Sequence, residues 1–177
     1  MSRARVLGMI ALSFLLWSGS QPRIRSGAER PAPAASHSVD GITGRLVELN
    51  PHLTPGQRSR IETAIDRSSA KYGLDPLLVA AVIEVESSAR PWARSPKGAR
   101  GLMQVMPYMI RPMGMAGNPS TVEANIEAGC AILAGNIRRL GEEDGISAYF
   151  WGSQIRGPGY LQRVQAARER LAGEAPS

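Results

Sequence analysis

The chain has one cysteine, Cys130, among 177 residues. A single thiol forms no internal disulfide, so the fold has no disulfide framework to rest on. Cys130 lies in an apolar helical stretch, Ile126 to Leu133. A nucleophilic cysteine needs a histidine or cation beside it to ionise, so a buried, unreactive thiol is expected here. The only histidines, His37 and His52, both precede the part of the chain with clear apolar periodicity. That placement removes Ser-His-Asp and Cys-His catalysis and leaves no ligand set for zinc. No metal and no cofactor is expected. Aromatic residues are scarce at 5%, so the core must rest on aliphatic and alanine packing. The chain carries a net charge of +6, but its cations are scattered and make no Lys/Arg-rich run. Nucleic acid is therefore not an expected partner, and the charge reads as a solvated basic surface with a bias toward acidic partners. No alternating strand pattern of convincing length occurs either.

Long apolar runs are also missing. The N-terminal run Val6 to Trp17 has 12 residues, well short of the ~20 that a spanning helix needs. Arg3 and Arg5 precede it and Ser18-Gly19-Ser20 follows it. That order describes a secretory signal peptide over residues 1–20, and an exported protein. Because the one cysteine is at 130, lipid attachment behind the leader is not expected. Residues 21–53 are rich in Pro, Ser, Ala and Arg, and read as a tether in which Ile42, Leu46 and Val47 form at most a short turn that packs on the domain.

The compact domain is expected over 54–174. Thr54-Pro55 and Asp75-Pro76 are helix starts, each a capping side chain followed by proline at the first position. Tyr72-Gly73 closes the first helix. The run Leu77 to Ile83 is apolar on all sides, which predicts a central buried helix. Residues 90–101 form a loop and Leu102 to Met109 a short helix. Ser120 and Glu123 have capping-box spacing at the start of a long amphipathic helix ending at Gly141. Ile146 to Trp151 and a stripe of Tyr160, Val164 and Leu171 mark two more helices. The fold class is all-α, with five to seven helices.

Glu84 and Glu86 fall at the end of the buried helix, about 200° apart around its axis, so they cannot share one site. An apolar wall raises the pKa of a carboxylic acid, and the negative end of the helix dipole adds to the shift. A group tuned in this way protonates a leaving oxygen at neutral pH. Glu86, with a polar loop behind it, is the candidate acid. From residue 87 to 122 the chain has no Asp or Glu. A retaining glycosidase with a protein nucleophile would place a second carboxylate nearby. Its absence points to a substrate group as nucleophile, unless the fold brings Glu127 or Asp144 close. Gln104 and Ser95 are neutral groups suited to amide and hydroxyl contacts. Met103 and Met106 suit a core as well as a ligand.

Four ordered blocks between about Tyr72 and Val164 resemble the soluble lytic transglycosylase (SLT) domain, a relative of goose-type lysozyme. They are Tyr72-Gly73-Leu74-Asp75-Pro76 running into Glu86-Ser87; Ser95 through Pro107; Asn125-Ile126 with Gly129; and Ala148-Tyr149 with Gly152, Tyr160 and Val164. The resemblance implies a lysozyme-like helical domain with a catalytic Glu at the end of its buried central helix. It implies that Glu86 is the sole acid/base, cleaving the bond between N-acetylmuramic acid and N-acetylglucosamine in a peptidoglycan glycan strand to give a 1,6-anhydro product. By the same resemblance Ser95, Gln104 and Met106 contact substrate or orient the acid, and Tyr149 hydrogen-bonds near Glu86. Periplasm or cell-wall space is the implied location. The small size resembles transglycosylases that serve secretion or conjugation machinery. One departure stands out: Phe150-Trp151-Gly152 replaces a run in which the family usually has Asn after Ala-Tyr. A hydrolytic muramidase and a non-catalytic glycan-binding or scaffold module are the alternative readings.

Overall fold

The computed structural model describes residues 39–110 and 120–173, all within the compact unit Pro33–Ser177. The expected leader and the tether up to residue 38 lie outside the described residues, as does the break at Asn118-Pro119. Among the described residues seven helices follow one another: α1 (Val39–Leu49), α2 (Pro55–Tyr72), α3 (Pro76–Ser87), α4 (Pro107–Ile110), α5 (Val122–Leu140), α6 (Glu142–Trp151) and α7 (Gly159–Gly173). Among the described residues no strand forms, and the only ladder pairs are the isolated bridges Arg94–Arg100 and Arg100–Val105. The all-α class is as expected.

Local chemistry explains the helix ends. The Thr54 hydroxyl accepts from the Gln57 amide at 3.2 Å, and the Gln57 side chain accepts from the Thr54 amide at 2.9 Å. This reciprocal pair satisfies two amides that the first turn of α2 leaves without partners. Gly73 ends that helix at φ +67°. Asp75 accepts from the Leu77 amide at 3.0 Å and starts α3, with Pro76 at the first helical position. From Leu78 to Ile83 every α3 side chain is buried. A helix apolar on all sides must lie inside, and α3 packs against α1, α2 and α7.

Three expectations change. The segment around Ile42 and Leu46 is an eleven-residue helix, not a short turn, and both side chains are buried in the core. Its docking is fixed by Glu84, which accepts from Arg45 at 3.0 and 3.1 Å and from Arg170 of α7 at 2.7 Å. Burial alone would raise the Glu84 carboxyl, but the two guanidinium groups outweigh it and hold the pKa below the usual range. The expected helix over Leu102 to Met109 shrinks to the single turn of α4. Residues 100–105 instead close on themselves through paired Arg100 and Val105 backbone bonds at 3.0 and 3.1 Å. The cap of α5 is Thr121, one residue beyond Ser120, and its hydroxyl accepts from the Ala124 amide at 3.3 Å. With the cap at 121, Glu123 falls one position too early for a capping box.

Helices α5 and α6 meet at almost no distance. A Cβ placed on Gly145 would lie 2.6 Å from the Ile137 Cα and 2.7 Å from its amide nitrogen. Both are backbone atoms, which cannot move aside as a flexible side chain can. This contact brings the far end of α6, with Tyr149 to Trp151, to the site. Gly145→Ala is expected to cost about 1–3 kcal/mol of stability, read as a lower urea midpoint with an unchanged m-value.

Candidate active site

The candidate acid comes from the last turn of α3. Glu86 is half-buried, and the Tyr160 hydroxyl of α7 donates to its Oε1 at 2.8 Å. Desolvation pushes the Glu86 carboxyl above its ordinary range. The Tyr160 hydrogen bond and the positive charge of Arg163 act the other way without reversing the shift. Tyr160 is 1% exposed, and burial together with the Glu86 charge drives its own pKa far upward, so it stays a donor. Arg163 lies over the Tyr160 ring with 5.7 Å to the centroid.

Three non-glycine residues of the described chain have positive φ: Ser88 at 50°, Ala89 at 56° and Gln104 at 46°. Such backbone costs of order 1–3 kcal/mol per residue and persists only where neighbours hold it. The first two turn the chain immediately behind the acid. Ala89 is fully buried, and its carbonyl accepts from the Asn50 side chain at 3.0 Å. At the third, the Gln104 amide nitrogen donates to the carbonyls of Ala93 at 3.1 Å and Gly101 at 2.8 Å. The strain is concentrated on the two segments that carry the acid and the amide.

The loop between these segments is held by side chains rather than by a sheet. Asn125 of α5, 2% exposed, accepts from the Met103 amide and donates to the Arg100 carbonyl, both at 2.9 Å. Gly101, at φ +77°, lets Asn125 approach, since a Cβ there would fall 2.5 Å from the Asn125 amide group. The Tyr149 hydroxyl donates to the Met103 carbonyl at 2.8 Å. The Ser95 hydroxyl accepts from the Ala99 amide at 3.0 Å and closes the turn over 95–99.

Glu86, Ser95, Gln104, Met106 and Tyr149 all line one open groove of about 890 Å³. The structure thus brings the five expected site residues together. Tyr149 bonds the loop backbone in the same groove, and the tyrosine that hydrogen-bonds Glu86 itself is Tyr160, a residue not among the expected five. In the sequence Tyr160 belongs to an apolar stripe and to the fourth resembling block. Its 74-residue separation from Glu86 left only its place in the fourth resembling block as a signal. Ser95 and Gln104 also prove to be loop-builders. The Gln104 nitrogen is held by two carbonyls, so its oxygen is the atom left for a ligand.

Among the described residues Glu86 is the only carboxylate that lines the groove, and Lys97 and Arg156 are the cations there. Glu127, weighed above as a second acid, instead pairs with Lys71 beside a separate hollow of about 840 Å³ between α2 and α5. In that hollow Arg60 holds the Glu123 carboxyl down at about 2, the opposite of what a proton donor needs. Asp144 is exposed and lies outside both. Cys130 is fully buried, its thiol pushed up to about 12 by desolvation, as expected of an unreactive sulfur. Among the described residues no cluster of His, Cys, Asp and Glu fit for a metal occurs.

A helical domain that presents one desolvated carboxylic acid in an open groove, with no second carboxylate beside it among the described residues, defines a class of acid-bearing cleft domains. This chain belongs to the Transglycosylase SLT domain family, whose pattern matches residues 63–167. It is 41% identical over 90 residues to a transglycosylase of Enterobacteria phage PRD1, covering 50% of this chain and 34% of the phage protein. It is 34% identical over 108 residues to a membrane-bound lytic murein transglycosylase C of Photorhabdus laumondii, covering 55% of this chain and 29% of that one. The chain thus spans about a third of the length of these relatives. Among solved structures it is similar to the 70 kDa soluble lytic transglycosylase of Escherichia coli. That likeness has 25% identity, covers 63% of this chain and 19% of the other, and has a TM-score of 0.45.

The raised carboxyl of Glu86 makes a stability prediction. The folded state holds this proton more tightly than the unfolded chain does. Stability is therefore lost as pH rises from the ordinary carboxylate range through the folded pKa. Glu86→Gln, which cannot ionise, is expected to melt above the wild type at neutral pH, with the gap closing in acid. Calorimetry across that range checks it; equal melting temperatures at neutral pH would show that Glu86 ionises without penalty.

Proposed function

We propose that this chain is an exported peptidoglycan lytic transglycosylase. It cleaves the β-1,4 bond between N-acetylmuramic acid and N-acetylglucosamine with one acid/base, Glu86, and leaves a 1,6-anhydromuramoyl end. The observation that carries this reading is the groove carboxyl of Glu86, desolvated, raised in pKa and without a second carboxylate among the described lining residues. Family membership supplies the substrate class. The relatives' printed names, lytic murein transglycosylase among them, support the same reaction.

In the proposed reaction the Glu86 carboxyl gives its proton to the glycosidic oxygen as the C1–O bond breaks. The acetamido oxygen of the muramoyl sugar closes on C1 and fills the place of a protein nucleophile. Glu86, now a carboxylate, takes the proton of the C6 hydroxyl. The O6 attacks C1 and displaces the acetamido oxygen, and the acid is restored. One group serves as acid and then as base, which suits a pKa near the working pH. Tyr160 fits both stages. Its hydrogen bond tempers the cost of the carboxylate, and burial supplies the opposing push. Ser95, Gln104, Met106 and Tyr149 form the walls against which the substrate rests.

The leader-like residues 1–20 support action in the periplasm or cell-wall space. We place the chain beside secretion or conjugation machinery as a local opener of the wall. Among the described residues no helix is long and apolar enough to cross a membrane.

The test is digestion of purified peptidoglycan by the protein and by its Glu86→Gln variant, with products read by mass. Anhydromuropeptides from the wild type and at least a hundredfold fewer from the variant are expected. Reducing ends in place of anhydro ends would make the enzyme a hydrolytic muramidase. Undiminished activity in the variant would remove Glu86 from the mechanism.

A further inference from the structure

Phe150 is conspicuous in the groove wall. It is 51% exposed, yet its ring is fixed on two sides. It stacks on Tyr160 at 5.0 Å between centroids and 14° between planes, and it meets Trp151 edge-on at 4.8 Å and 86°. Tyr160 is buried and bonded to Glu86, so the stack extends from the acid to the groove surface. An exposed aromatic ring normally loses conformational freedom when it binds a ligand. This one is already held, so that cost is small. A pyranose ring presents an apolar C–H face that matches an aromatic surface. Trp151, beside it in the groove lining, keeps a buried indole N–H without an acceptor among the described residues.

Resting on the reading of the groove as a glycan site, we infer that the exposed part of Phe150 is a sugar-stacking platform. It seats one N-acetylhexosamine ring beside Glu86, and its stack on Tyr160 sets that ring's position relative to the acid. The platform explains why a side chain of this size stays exposed at the rim when the core has so few aromatics.

The probe is the tetrasaccharide of N-acetylglucosamine, titrated into the Glu86→Gln protein so that no cleavage intervenes. Affinity is read by calorimetry, and the Trp151 indole N–H resonance by NMR. Adding Phe150→Leu keeps an apolar side chain but removes the flat ring. It is expected to weaken binding about two- to tenfold, while the melting temperature falls by no more than a few degrees and the protein stays folded at the assay temperature. Phe150→Tyr restores the ring and is expected to retain the affinity. The Trp151 resonance should shift on saturation in the ring-bearing proteins. Binding by Phe150→Leu as tight as its parent's would overturn the platform and leave the glycan reading standing. No binding by the parent would remove the glycan reading itself, and the platform with it.

Discussion

The site depends on one balance at Glu86. Desolvation at the end of α3 pushes the carboxyl up, while one hydroxyl and one nearby guanidinium pull it back. Neither side works alone. Full desolvation without a donor would hold the acid permanently neutral, able to give its proton but not to take another back. Full pairing would give what Glu84 shows two residues earlier. There, two arginines hold the carboxyl below its usual range, and its role is to pin α1 and α7 to the central helix. The same residue type on one helix thus has two fates, decided by what each face of α3 meets.

The rest of the fold serves that balance by fixing loop backbone around the acid. The loop has almost no ladder of its own, so its carbonyls and amides are met by Asn125, Gln104, Tyr149 and Asn50. Buried backbone groups must find partners, and side chains from four different segments provide them here. The left-handed residues Ser88, Ala89 and Gln104 are the cost of bending the chain this tightly. Part of the core's stability is thereby offset at the groove, a common feature of functional sites.

Much of this was legible in the sequence where the physics is local. The Thr54-Pro55 and Asp75-Pro76 starts, the uniformly apolar run behind Glu86, and the end of α5 before Gly141 all follow from neighbouring residues. The five expected groove residues share one cavity because their motif blocks lie on elements that the helix order brings together. What escaped is tertiary. Tyr160 looks like any apolar-stripe residue until α7 lies against α3. α1 looked like a tether with one short packed turn, because the full helix has support only once a core receives Ile42 and Leu46. The residues after Leu102 were expected to be helical. Asn125 and the Arg100–Val105 bonds instead draw that segment into a tight turn, overriding its local preference.

The most direct measurement is titration of the Glu86 carboxyl itself by carbon NMR, with Glu86→Gln used to assign the resonance. The account predicts a midpoint above the ordinary glutamate value of ~4.3, with a single downfield transition that survives moderate salt. A midpoint at or below that value would contradict it. Tyr160 and Arg163 would then outweigh desolvation, and Glu86 would be a paired surface carboxylate instead of the acid of this groove.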